Sequence, residues 1–302
     1  MKLSEVTKGF EGKLLYDGEF ETLEYCTCDL KRPFLSFMEN QKFISKISEY
    51  TCCIFCKEEL VPFLPPFVKG VYVTDYPKEL FHTVHNNLCD NEEYAYSSFN
   101  NIIGIQCEIS EFAHIAKRNV IIGDNVIIED NVTIKENVVI GNDCIIHSGA
   151  VIGGKAFTFA RASQNRILGL RDVGKIVIGN RVEIFPMVHI AKGILPTDVT
   201  SIGDDVKIDA FAYIGHGTQI DSRTLIAAGA VIGGNARIGQ DSWIGINATV
   251  SNRVSIGNNV RVSLGAVATK NVGDNKTVTG NFAIEHSIFL KNLKKSIMDE
   301  VE

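Results

Sequence analysis

"IGDNVIIEDNVTIKENVVIGNDCII", residues 122–146, returns an isoleucine every six positions, at Ile122, Ile128, Ile134, Ile140 and Ile146. Two places before each of the last four stands a smaller side chain: Val126, Val132, Val138 and Cys144. A period of six fits neither an α-helix nor a lone amphipathic strand. It fits a coil of three short flat strands joined by tight corners, each hexad supplying one strand and one turn. The large and the small residue point inward and stack on their equivalents one coil later, while Gly, Asn and Asp occupy corners that need permissive backbone angles. The count continues through Ile152, resumes at Ile178, Ile184 and Ile190, and then runs from Ile202 to Val262. Small partners such as Ala212, Thr218, Ala230 and Ser242 keep the same place in each hexad. The predicted fold is mainly β: a parallel β-helix of hexapeptide repeats, each coil burying its core on its neighbours.

Two interruptions break the count. Ile152 and Ile178 are not separated by a multiple of six, so "GGKAFTFARASQNRILGLRDVGK" must loop out. Between Ile190 and Ile202 the register holds, but "AKGILPTDVTS" is irregular and contains Pro196. Loops thrown out of a rigid scaffold commonly carry function. Phe157 and Phe159 place two aromatics in the first loop, which has no core of its own, and are candidate substrate contacts.

The hexads divide the chain. Residues 1–100 contain none; "LYDGEFETLEYCTCDL", "TCCIFCKEEL" and "GVYVTDYP" read as strands and "PKELFHTVHNNL" as a helix, a small α/β domain. Residues 101–280 form the β-helix. Residues 281–302 read as a terminal amphipathic helix capping its open end.

Composition narrows the chemistry. A net charge of −6 over 302 residues leaves no electrostatic footprint for nucleic acid. No stretch approaches a membrane span, and the N-terminus leads into no signal-peptide core, so the expectation is a cytoplasmic protein. Cys26, Cys28, Cys52, Cys53 and Cys56 could in principle hold zinc, but Cys52 and Cys53 sit in an apolar run and read as reduced, buried thiols. The expected metal set is none. A zinc anhydrase would need paired histidines, and His114, His147, His189, His216 and His286 show no ligand spacing.

One corner stands apart. In "KIDAFAYIGHGTQID", residues 207–221, His216 stands between Gly215 and Gly217, which clear space around the ring. Three hexads later comes Gly234, whose bare peptide N–H would stack over it at about 4.8 Å. A base with an amide donor one rung away is a minimal kit for acyl transfer: one takes a proton, the other stabilises an oxyanion. A solid coil has no internal cavity, so the site must lie on a face, and a three-sided prism suggests a homotrimer with sites between chains.

"KIDAFAYIGHGTQI", "VIGGKAFTFA" and the hexads resemble the UDP-3-O-acylglucosamine N-acyltransferases of lipid A biosynthesis. The resemblance covers both domains and implies a uridine-binding α/β domain before a trimeric left-handed β-helix. It implies that His216 is the general base and Gly234 the oxyanion amide. Asp209 matches an aspartate of the family stretch that would orient the imidazole, with Asp198 its rival. "LSFMENQKF", residues 35–43, resembles the uridine-binding segment, so Phe37, Asn40 and Phe43 would hold the base, Phe43 standing where the family has Tyr. Arg253 replaces a second family histidine and becomes a candidate substrate contact; Ala191-Lys192-Gly193 replaces an Asp-Arg-Gly. The implied reaction moves an acyl group from an acyl-thioester, on acyl carrier protein or coenzyme A, to the amine of a UDP-linked amino sugar, with no tightly bound cofactor. The same architecture would serve another nucleotide amino sugar destined for surface polysaccharide or glycosylated protein. A non-catalytic trimer is the alternative of a different class.

Overall fold

The computed structural model describes residues 1–280, 283, 285–288 and 290–292. From Ile102 to Val278 the chain winds through three parallel sheets of nine, eight and eight very short strands. Successive coils lie 18 residues apart in the uninterrupted parts, as where Ile127 pairs with Ile145. Each inward aliphatic from Ile122 to Val262 is at most 2% exposed, and they form one continuous core with Val126, Val132, Val138 and Cys144. Each such side chain contributes about 1.5–3 kcal/mol of burial, so the stack holds itself together rung by rung.

Corners carry the conformational cost. Most hexads hold one residue at positive φ, among them Asn119, Asn125, Asn131 and Asn137. Asn tolerates that region because its short polar side chain bonds locally, and here Asn119 donates to Asn137 one coil on at 3.2 Å. The same corner position holds Arg181, Met187, Phe211, Arg223 and Arg253, side chains with no such affinity for left-handed backbone.

Both interruptions are insertions at one edge of the prism. Asn142 reaches Asn180 at 38 residues' separation, and Asn180 reaches Asp204 at 24. The first insertion folds into an antiparallel hairpin, Phe159–Arg161 against Ile167–Gly169. The second, residues 191–199, packs on it through a small core of Ala160, Leu170 and Ile194.

The N-terminal part contains a short helix α1 (Leu3–Val6), strands β1 (Lys13–Tyr16), β2 (Thr22–Leu23), β3 (Phe34–Met38), β4 (Thr51–Cys56) and β5 (Gly70–Val73), and helix α2 (Pro77–Leu88). The sheet order is β1-β5-β4-β3-β2, with β1 alone antiparallel to its neighbour. Of "LYDGEFETLEYCTCDL", only Leu15–Tyr16 and Thr22–Leu23 are strand; the interior strand β3 lies in "FLSFM", which alternation alone did not reveal. Leu80, Phe81 and Val84 of α2 pack on Leu35, Phe55 and Tyr72. Cys53 and Cys56 are buried in β4, and burial pushes the Cys56 thiol up to about 11.

The two insertions tie this domain to the coils. Asn86 of α2 donates to the Gly169 carbonyl at 2.9 Å, Arg171 forms a two-pronged pair with Asp90, and Glu79 accepts from Ser163 and Arg166. Leu195 is wholly buried in the α/β core, beside Leu3, Phe20 and Tyr94. The expected C-terminal helix, 281–302, falls mostly on residues outside those described. Among the described residues no helix is long and apolar enough to cross a membrane.

Candidate active site

His216 follows the two-residue strand Tyr213–Ile214, at the prism edge that the insertions also occupy. The tight corner is made by Gly217 at φ +65, whose N–H donates to the Thr200 hydroxyl at 2.9 Å. Below the ring, the His216 carbonyl accepts from Asn235 at 2.7 Å, which locks this coil to the next. Among the described residues the imidazole is left free: Nδ1 is buried without a hydrogen-bond partner.

Gly234 lies where expected. A Cβ built on it would stand 2.6 Å from Nε2 of His216 and within 3.0 Å of two ring carbons, so only glycine leaves the ring this place. Its carbonyl accepts from Arg253 in the following coil, while among the described residues its N–H donates to nothing. Base and unspent donor therefore sit side by side.

Electrostatics at the ring come from three places in the chain. Burial is the largest influence and lowers the His216 pKa; Asp198 raises it and Arg253 lowers it further. The net direction is downward, which keeps the imidazole neutral and able to accept a proton at neutral pH. Asp198 belongs to the second insertion, where its Oδ2 accepts from the Ile194 and Leu195 amides at 3.1 and 3.0 Å. Next to it, Thr197 donates to Glu24 of the α/β domain at 2.5 Å. Burial pushes the Glu24 carboxyl up to about 7, and the negative charge of Asp198 adds to the effect. Tyr25 feels Asp198, Glu24 and Arg253 together. Asp198 and Arg253 thus act on both His216 and Tyr25.

Asp209 takes a different place from the one its alignment implied. Its two oxygens accept from the Ala210 and Ala228 amides, at 2.7 and 3.1 Å, on another corner of the prism. Both are engaged in closing turns, and the aspartate whose charge acts on His216 is Asp198. Phe37, in β3, stacks into the α/β core against Phe81 at 5.0 Å and Tyr25 at 6.1 Å. Asn40 accepts from Lys42 to start a short 3-10 turn, and Phe43 is exposed with the Lys42 ammonium 5.0 Å above it. Phe157 and Phe159 meet each other edge to face at 5.0 Å on the hairpin, with Phe157 90% exposed. Arg253 is exposed, one coil beyond Gly234.

Glu24, Tyr25 and Thr197 were missed from sequence. A signal exists only in retrospect: an acidic residue at the end of an apolar pair, and a Thr-Asp step in an insertion 173 residues later. His189, one coil below His216 on the same sheet, stacks flat on Tyr213 at 5.4 Å, its Nε2 buried without a partner.

Fold and corner chemistry together define a left-handed parallel β-helix of hexapeptide repeats with an α/β domain before it. The family described as bacterial transferase hexapeptide (six repeats) matches residues 119–154 and 200–234, the coils before the insertions and the coils that carry His216. The UDP-3-O-acylglucosamine N-acyltransferase of Dechloromonas aromatica (strain RCB) is 43% identical over 72 residues, 24% of this chain and 20% of the relative. The chain thus spans about a fifth of that curated relative. Among solved structures, the UDP-N-acetylglucosamine acyltransferase from Campylobacter jejuni is similar in fold, with a TM-score of 0.51 and 21% identity over 57% of this chain and 64% of that one. The UDP-N-acetylglucosamine O-acyltransferase from Moraxella catarrhalis aligns at a TM-score of 0.45 and 22% identity, covering 64% and 76%.

Proposed function

We propose that this protein is an N-acyltransferase that moves an acyl group from a thioester to the amine of a UDP-linked amino sugar. The observation that carries the reading is His216: a neutral imidazole with no hydrogen-bond partner among the described residues, its Nε2 packed against Gly234, whose N–H donates to none of them. His216 takes a proton from the sugar nitrogen, which attacks the thioester carbonyl carbon. Charge gathers on the carbonyl oxygen, where the Gly234 N–H donates to it. As the tetrahedral intermediate collapses, the C–S bond breaks, the new C–N bond remains, and the imidazolium returns its proton to the departing sulfur. Asp198 holds positive charge on the ring during that interval; Arg253 disfavours it at rest and is placed to meet an anionic part of a substrate.

The similarity to the D. aromatica UDP-3-O-acylglucosamine N-acyltransferase supports the amine as acceptor. Phe37, Asn40 and Phe43 are the proposed uridine contacts, and the donor is an acyl carrier protein or coenzyme A thioester. Three copies form the working assembly, the exposed Leu225, Val231, Trp243 and Val267 of the upper coils covering one another between chains. The test is mass spectrometry of products after incubating the protein with a panel of UDP-, dTDP- and GDP-linked amino sugars and both donor types. An acylated UDP-sugar amide formed by wild type and absent with His216→Ala supports the proposal. No amide from any pair, or full activity in the variant, overturns it.

A further inference from the structure

A cavity of about 770 Å³ opens below the second insertion, between the end of α2, the lower coils and the hairpin. Its lining includes none of His216, Gly234, Asp198 and Arg253. Its volume is that of a small-molecule site.

Its chemistry is cationic. Lys117, Lys135, Lys155 and Lys192 line it, and Arg171 adds a guanidinium already spent on Asp90 through two bonds of 2.7 Å. Against the four ammonium groups stand only Glu136 and Asp172. Lys192 is the unusual member. It is 8% exposed, and no hydrogen bond or ion pair of the described residues takes up its ammonium. A buried, unpaired ammonium is expensive, and burial accordingly lowers its pKa. Asp172 answers it from across the cavity. One oxygen accepts from Ala156 at 3.0 Å, and the other is buried with no partner. Burial raises that carboxyl to about 6, so it is mostly ionised at neutral pH and takes up a proton only as pH falls toward 6 and below.

Surplus ammonium groups with one buried and unsatisfied describe a receptor for concentrated negative charge. Lysine is a common point-charge partner of phosphate oxygens. The cavity is larger than one phosphate needs, and Tyr96 and Val173 add an apolar wall suited to an organic portion. We propose that this cavity binds a phosphate-bearing small molecule of nucleoside-diphosphate size, with Lys192 as its buried anchor and Lys117, Lys135 and Lys155 around the phosphates. The inference does not depend on acyl transfer. Two sources share the chemistry: the diphosphate of a UDP-sugar and the phosphorylated end of coenzyme A.

Isothermal titration of the full chain with inorganic pyrophosphate, UDP and adenosine 3′,5′-bisphosphate tests it. The expected result is saturable binding of at least one, weakened about tenfold or more in Lys192→Met and only a few-fold in Lys192→Arg. Lys135→Glu, an exposed reversal that leaves the core untouched, weakens binding in the same direction and covers the case where Lys192→Met misfolds. UDP affinity lost in Lys192→Met assigns the cavity to the acceptor's diphosphate, and bisphosphate affinity lost in that variant assigns it to the donor. The titrations read binding without turnover, so failure of the acyl-transfer reading would be seen separately. No saturable binding of any probe up to roughly 1 mM, or wild-type affinity in both Lys192→Met and Lys135→Glu, overturns the proposal.

Discussion

Gly234→Ala isolates the corner chemistry with one methyl group. The backbone there has no positive φ, so alanine is conformationally acceptable, and the strain falls on the neighbouring ring. The new Cβ would stand 2.6 Å from Nε2 of His216, where an ordinary contact is about 3.6 Å, so the imidazole must retreat by about 1 Å. Misplacement on that scale costs a positioned catalytic group on the order of 100-fold in rate. That is about 2.7 kcal/mol of transition-state stabilisation, and it should appear in kcat/KM. The assay is acyl transfer by chromatography and mass spectrometry, paired with a thermal melt by circular dichroism. Gly273→Ala, where a Cβ meets nothing within 4 Å, is the control and should behave as wild type. A Gly234→Ala protein with a native melt and kcat/KM within about twofold of wild type would refute the pairing of His216 with this amide.

Four further outcomes follow from the same geometry. Because burial and Arg253 hold the His216 pKa below its ordinary value, kcat/KM should rise with pH to a plateau reached below neutrality. Arg253→Ala should move that limb to higher pH and Asp198→Asn to lower pH, and a profile unmoved by either would remove both from the ring's surroundings. Glu24 titrates at about 7 when folded and near 4.5 when unfolded, so the folded chain holds the extra proton between those values. Its stabilising share is complete below about pH 4.5 and is lost as pH rises through 7, on the order of 3 kcal/mol; Glu24→Gln should therefore gain stability in urea at pH 8 and little at pH 5. Met187→Asn replaces a side chain held at φ +61 and should stabilise by about 1 kcal/mol in the same titration, whereas Gly217→Ala, at φ +65 and against Asn235, should destabilise by about 1–2 kcal/mol.

The coil was legible because its rule is local. Every inward position announces itself within six residues, and Ile122 through Val262 lie where the count put them. His216 and Gly234 could be paired for the same reason, since a fixed 18-residue coil turns sequence separation into height. The insertions ended that arithmetic. Once Asn142 faces Asn180 and Asn180 faces Asp204, the register gives the place of the coils but says nothing about where residues 191–199 go. Their partners lie in another domain, so Asp198 and Glu24 could not be joined from sequence, and the bonds of Asp209 to the Ala210 and Ala228 amides could not be read from it either. β3 escaped for a different reason: Phe34, Leu35 and Ser36 are all buried, and a strand covered on both faces shows no alternation.

Leu195 has a consequence for biosynthesis. The sheet that starts the protein is completed by a leucine from the middle of the coils, made about 6–24 seconds after β5 at ordinary rates of translation. Until then the early half waits on the ribosome with an unfilled hole and Tyr94 beside it. It can close only when the solenoid has wound far enough to lower its insertion into place, so a pause between those two stretches lengthens the time for which greasy surface is open to chaperones.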